Sequence, residues 1–393
     1  MREAPALSAA KHATTTAFAG SGFAFSSWVA RIPQVRDALG LDVAQLGLLL
    51  LAVAGGSVLG LPLAGAVVAR YGTDRAVAAM ALLLATGLGV AGVGVLAASV
   101  PVVAVGLFLL GFGNGAWDVG MNVQAAAVEH RLARSIMSRF HAGYSIGTVV
   151  GALLAAGVIA LGIGVTPHLL AVAVVVALVV PASTRRFLRD GAASDPDVSP
   201  GAGRFGVLNA WREPRTLLIG VFVLAFAFAE GTGNDWISIA VLDGYDLPAA
   251  VGTLALAAFL AAMTVGRWFG PALLDRYGRV AVVRGLAAVG VVGLLAFVFS
   301  PWTPLAFAGT LLWGLGVSLG FPLGMSAGAD EPARAAARVS VVSSIGYCAF
   351  LAGPPLVGFL GHSVGVLRAL TAVAVLLGTA ALIAGAVREP ARP

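Results

Sequence analysis

The chain has 393 residues and a mean hydropathy of +0.96, with 59% of its residues hydrophobic and only 11% charged. A soluble domain carries about 25% charged residues, so a water-soluble globule of this size is excluded. The 52 glycines lie inside Ala/Val/Leu runs without a triplet period, which excludes a collagen-like fibre. The net charge of +6 does not mark a nucleic-acid-binding protein, because Lys and Arg fall in short clusters between apolar runs.

A bilayer crossing needs about 20 mostly apolar residues. Lipid offers no partner to backbone groups, so each crossing is helical unless it closes into a barrel, and these runs are too long and too unpatterned for barrel strands. Taken in chain order the runs are 13–34, 44–69, 76–98, 102–127, 137–161, 167–184, 216–240, 248–274, 280–300, 303–328, 339–361 and 366–387. The reading is an all-α membrane protein, with twelve transmembrane helices in two pseudo-symmetric six-helix bundles. The first run is read as a retained span, since no small-residue cleavage site follows a short apolar core. The single cysteine, Cys348, sits in span 11 and excludes an intramolecular disulfide.

Span 1 carries Ser27, Trp28 and Arg31. Two readings of Trp28 stay open, a lipid-interface anchor and a platform for stacking a sugar. Arg31 reads as an outer-mouth residue that gates or snorkels. Span 4 carries Asn114, Asp118, Asn122, Ala125 and Glu129, whose steps of four, four, three and four place them on one face. That face lines either a helix seam or a watery cavity, and Asp118 points to transport because a carboxylate in lipid needs a partner or water. Span 5 repeats the pattern with His141, Tyr144, Ser145 and Thr148; proton handling and a structural hydrogen bond are both open for His141.

The stretch 185–215 is rich in Pro, Gly, Ser and Arg and reads as a cytoplasmic linker between an N-terminal bundle (1–184) and a C-terminal bundle (216–393). Residues 205–213 could form a short interfacial helix. In span 7, Glu230, Asn234 and Ser238 share a face beside Asp235 and Trp236. The adjacent Gly231-Thr232-Gly233 either unwinds the helix, freeing carbonyls for a ligand, or serves close packing. Span 10 looks poorer in polar groups, so the site is expected at spans 1, 4 and 7.

The halves match at Trp28/Trp236, Gly47/Gly252 and Arg70-Tyr71-Gly72/Arg276-Tyr277-Gly278, at offsets of 205 to 208. Internal duplication with a site near the midplane is the common build of secondary transporters. With both termini placed inside, only Arg31, Arg36 and Arg368 of the 24 basic residues fall outside. This follows the positive-inside rule and predicts cytoplasmic termini in a bacterial inner membrane.

The loop Asp275-Arg276-Tyr277-Gly278-Arg279 resembles the signature of the major facilitator superfamily. Its first-half copy, with Gly65, Arg70, Gly72 and Arg75, departs from the pattern in having Ala69 for the acid and Asp74 for a base. Gly113 through Asn122, Met137-Ser138-Arg139-Phe140-His141, Glu230-Gly231 and Asp235-Trp236 resemble the MosC-like (rhizopine-permease-like) branch and, more distantly, fucose permeases. The resemblance implies the major facilitator fold and a small polyhydroxylated solute moved with protons. Span 4 lacks an arginine and span 5 lacks Gly-Pro, both usual in proton-driven drug antiporters.

The function expected is therefore secondary active transport that moves a small polar organic solute, sugar- or polyol-like, across the inner membrane by alternating access with proton coupling; the alternative is a proton-driven exporter of a metabolite or drug. Candidate substrate residues are Ser27, Trp28, Asn114, Asp118, Asn122, Tyr144, Glu230, Asn234 and Trp236. Candidate proton carriers are Asp118, Glu230 and His141, and candidate gating residues are Arg31, Arg70, Asp235, Asp275, Arg276 and Arg279. The expected partners are a small-molecule substrate, protons and the lipid bilayer, with the chain a monomer and no nucleic acid bound. No cofactor, metal or catalytic group is expected: the histidines lack metal-site spacing, and neither a nucleophile elbow nor a Walker loop is present. A channel or receptor would need a continuous polar pore or a signalling domain.

Overall fold

Runs of Ala, Val, Leu and Gly satisfy their backbone groups internally by folding as helices. In the computed structural model, which describes residues 5–132, 136–188, 208–331 and 334–389, helices follow one another along the chain. The first seven are α1 (Pro5–Val29), α2 (Ile32–Leu39), α3 (Val43–Tyr71), α4 (Thr73–Leu96), α5 (Val100–Leu132), α6 (Met137–Ala160) and α7 (Val165–Thr184). Then come α8 (Pro214–Tyr245), α9 (Ala249–Tyr277), α10 (Arg279–Phe299), α11 (Thr303–Val317), α12 (Gly320–Gly328), α13 (Ala335–Val364), α14 (Val366–Ala369) and α15 (Thr371–Ile383). Among the described residues, 11 segments are long and apolar enough to cross a membrane. The twelfth, α1, has 25 residues and is more polar, and it buries Thr14, Ser21, Ser26 and Ser27 inside the protein.

Two units emerge, Met1–Ser194 with Leu247–Ala257, and Asp195–Asp246 with Ala258–Pro393. Within the first, α5 packs on α3 and α4, α4 on α7, and α1 on α6 and α7. Within the second, α10 packs on α11 and α15, and α8 on α13 and α15. Four of these contacts correspond if α8 matches α1, α10 matches α4, α11 matches α5, α13 matches α6 and α15 matches α7. The likeness extends to single residues. Gly72 and Gly278 both adopt positive φ (82° and 76°), a region that costs a Cβ-bearing residue free energy. Arg70 lies over the Tyr71 ring at 5.5 Å, and Arg276 over Tyr277 at 5.2 Å.

Close helix contacts rest on missing side chains. A Cβ on Gly147 would meet the carbonyl oxygen of Ala19, which brings α6 against α1. Such small-residue seams replace the hydrophobic drive that lipid does not provide.

The helices decide several sequence expectations. Span 1 does not run to residue 34: α1 stops at Val29 and α2 begins at Ile32, because Pro33 lacks an N–H and its ring would clash with the Val29 carbonyl in a continuous helix. The Gly231-Thr232-Gly233 segment does not unwind; α8 passes through it unbroken, with Gly233 against the Phe259 ring and Gly231 against Phe350. The break falls in span 10, between α11 and α12. Of the proposed interfacial helix, residues 205–207 lie outside the described residues, and Leu208 and Trp211 are exposed.

Candidate functional site

In the first unit the polar face of α5 divides in two. Asn114, Asp118 and Asn122 are partly exposed, whereas Ala125 is fully buried. The amide oxygen of Asn114 accepts a hydrogen bond from the Ser21 hydroxyl at 3.2 Å, linking the face to α1. Asn122 Nδ2 donates to the Asp118 carbonyl at 2.8 Å and to its carboxylate at 3.2 Å. No ion pair to Asp118 is found among the described residues. Glu129, at the end of this stripe, turns away to accept from the backbone N–H groups of Ile136 and Met137 at 2.6 and 2.5 Å. It therefore caps the start of α6, where orphan donors and the helix dipole favour an anion.

His141 is exposed and lies edge-on to the Phe18 ring, with centroids 5.1 Å apart. Tyr144 is partly exposed. Ser27 is buried and donates to the Phe23 carbonyl. Trp28 is 2% exposed, so it is not a lipid-interface anchor in this structure.

Arg31 departs from expectation. It neither snorkels nor reaches water: it is 1% exposed, donating from Nε to His168 Nδ1 at 2.9 Å and from Nη2 to the Ile163 carbonyl at 3.0 Å. A guanidinium can only donate, so Nδ1 accepts and a neutral His168 carries its proton on Nε2. The pair ties the end of α1 to the start of α7. His168 begins an otherwise apolar span, and its sequence context was weighed only for metal-site spacing.

The second unit holds the residue that an inventory of acids overlooks. Arg267 of α9 donates from Nη2 to both carboxylate oxygens of Glu230 on α8, each at 2.8 Å, and from Nε to the Ser318 carbonyl at 3.2 Å. That carbonyl is available because Pro322 has no N–H to return to it, four residues on. Proline alone does not cause the break, since Pro62, Pro181 and Pro271 sit inside unbroken helices. At span 10 the freed carbonyl has a charged donor waiting, and Phe226 of α8 occupies the space a side chain on Gly320 would need. The signal was a lone basic residue inside the apolar run 248–274.

Asn234 and Asp235 are partly exposed, and Asp235 has no hydrogen bond or ion pair among the described residues. Trp236 is fully buried, and its indole N–H has no partner among the described residues. The candidate substrate residues thus separate into an accessible set, Asn114, Asp118, Asn122, Tyr144, Glu230 and Asn234, and an enclosed set, Ser27, Trp28 and Trp236.

Among the gating candidates, Arg70, Asp275 and Arg276 are exposed. Asp275 has no ion-pair partner among the described residues. Arg279 instead bonds Asp330 through Nη1 at 2.8 Å, and Arg215 bonds the other Asp330 oxygen at 2.8 Å. Asp330 thereby ties the starts of α8 and α10 to the end of α12.

The chain matches the family model of the Major Facilitator Superfamily over residues 14–348. An uncharacterised MFS-type transporter of Yersinia pestis is 29% identical over 377 residues, covering 95% of this chain and 94% of that protein. Membrane protein MosC of Rhizobium meliloti is 29% identical over 357 residues, covering 89% and 83%. Among solved structures, the nucleoside transporter NupG aligns with a TM-score of 0.76 at 14% identity, covering 95% of this chain and 98% of that one. The E. coli fucose:proton symporter FucP aligns at 0.63 and 15% identity, covering 96% and 98%. At these identities the structural likeness speaks for the fold. Eleven apolar helical segments beside α1 among the described residues, matching contacts in two units and a family match over most of the chain place this multi-pass membrane protein, a transporter and not an enzyme, in the major facilitator superfamily.

Proposed function

We propose that the chain is a secondary active transporter that moves a small sugar- or polyol-like solute across the bacterial inner membrane by alternating access, coupled to protons. The observation that carries the reading is Asp118. Its carboxylate lies about sixteen residues into span 4, on a partly exposed polar face, and its hydrogen-bond partner is Asn122 of the same helix. A carboxylate so placed, without a cation, is suited to take a proton when its cavity opens to one side and release it when the cavity opens to the other. Glu230 is less suited to that task, because Arg267 already compensates its charge. The likeness to a fucose:proton symporter and to a nucleoside transporter supports a hydroxyl-rich solute. In the same reading the termini and the 185–215 linker are cytoplasmic, and the monomer is the transporting unit.

The test is uptake by the purified chain in proteoliposomes with an imposed proton gradient, against sugars, polyols, amines and drugs. The reading expects an uncharged hydroxyl-bearing solute to accumulate and a protonophore to abolish accumulation. Gradient-independent equilibration, or transport confined to lipophilic cations, contradicts it.

A further inference from the structure

We infer that Arg267, held between Glu230 and the freed carbonyl of Ser318, is the ligand anchor of the second unit and takes neighbouring hydroxyl groups of an uncharged solute. The inference rests on the sugar- or polyol-transport reading and gives that ligand a specific contact. A guanidinium carries five N–H groups. Nε serves Ser318 and Nη2 serves both oxygens of Glu230, while Nη1 has no partner among the described residues. The side chains keep 27% (Arg267) and 19% (Glu230) of their surface exposed, so this edge is open.

The contact is unusual for a purely structural ion pair. The strongest Arg–carboxylate geometry pairs two nitrogens with two oxygens. Here one nitrogen spans both oxygens, leaving the second terminal nitrogen unused beside a carboxylate that still has lone pairs to offer. Donor and acceptor sit side by side, which matches a hydroxyl that accepts from Nη1 next to one that donates to Glu230.

Charge selects further. The pair is neutral as a unit. An anionic ligand would face Glu230 and a cationic one Arg267 at close range, whereas a neutral hydroxyl-bearing ligand meets neither repulsion. The anchor is also held in place before any ligand arrives. A Cβ on Gly266 would strike the Ser318 side chain, so α9 lies directly against the helix break, and Gly320 seats Phe226 of α8. Asn234, one turn beyond Glu230 and partly exposed, is placed to reach a third hydroxyl.

The experiment measures binding to the purified full chain by thermal shift and calorimetry. The probes are L-fucose, myo-inositol and uridine, with gluconate as an anion and glucosamine as a cation. At least one uncharged probe is expected to bind, with gluconate and glucosamine at least tenfold weaker. Arg267→Lys keeps a charge opposite Glu230 but loses the planar donors, and is expected to weaken binding at least tenfold. The paired variant Arg267→Gln with Glu230→Gln removes both charges together, so neither is left unmatched; it is expected to melt within a few degrees of wild type and to lose binding. If both variants bind an uncharged probe as wild type does, Arg267 is structural and the inference falls while the transport reading stands. If no uncharged probe binds the wild type, both fall.

Discussion

A charged side chain deep in lipid costs about 2.5–3.5 kcal/mol on insertion scales, and the described residues answer that cost in different ways. Arg31 is enclosed and finds two acceptors, His168 and the Ile163 carbonyl. Arg31→Leu would leave both acceptors unpaired, so it should lower stability by about 1–3 kcal/mol, seen as a fall in melting temperature with no change in ligand affinity. An unchanged melting temperature would show that the two contacts carry no weight. Glu230 and Arg267 answer the cost by pairing. Asp118 has an amide, and Asp235 has no partner among the described residues. The carboxylates were legible in the sequence because an acid in an apolar run stands out. Arg267 was not, since Lys and Arg read as clusters between the apolar runs, and the burial of Trp28 and Arg31 depends on tertiary packing that periodicity does not carry.

Between elements, small residues and prolines decide where helices touch and stop. A Cβ on Gly147 meets the Ala19 carbonyl, whereas one on Gly157 of the same helix meets nothing within 4 Å. Gly147→Ala should therefore cost about 1–3 kcal/mol by overpacking, while Gly157→Ala should be neutral or stabilise by up to about 1 kcal/mol through helix propensity. Equal effects on melting would refute the seam.

Where α8 meets α13, Glu213 accepts from Arg338 at 2.6 Å and from the Thr216 hydroxyl at 2.8 Å. The Arg338 hydrogen bond holds this carboxyl below the usual carboxylate range. The unfolded chain therefore binds the proton first as pH falls. The stabilisation is complete above the ordinary carboxylate pKa of about 4.3 and is lost as pH drops through the lower folded value. The effect is modest because the pair is partly solvated. Melting temperature should decline from pH 5 to pH 3, and Glu213→Gln should flatten that decline; an identical slope in the variant contradicts the assignment. The two proline breaks show the limit of reading elements from composition. Prolines at 33 and 322 end helices while those at 62, 181 and 271 do not, and at span 10 the difference lies in a partner elsewhere in the chain, the Arg267 donor for Ser318.

For the molecule as a whole, span count and duplication were legible because lipid restricts backbone geometry and because basic residues cluster in alternate loops. The matching helix contacts in the two units and the shared positive-φ glycines at 72 and 278 agree with that duplication. The topology makes its own prediction. In a variant lacking Cys348, a cysteine placed at Ser194, which lies outside the described residues, should resist impermeant reagents in intact cells and label once the membrane is opened. Labelling from the outside would overturn the orientation.

The central claim is that Asp118 couples proton movement to solute movement, and Asp118→Asn tests it most directly. Asn keeps the shape and a hydrogen bond with Asn122 but cannot titrate. Uphill uptake driven by a proton gradient should be abolished in proteoliposomes, while ligand binding and solute counterflow persist within a few fold of wild type. If the Asn variant still accumulates solute against its gradient with wild-type pH dependence, Asp118 is structural and the coupling assignment fails.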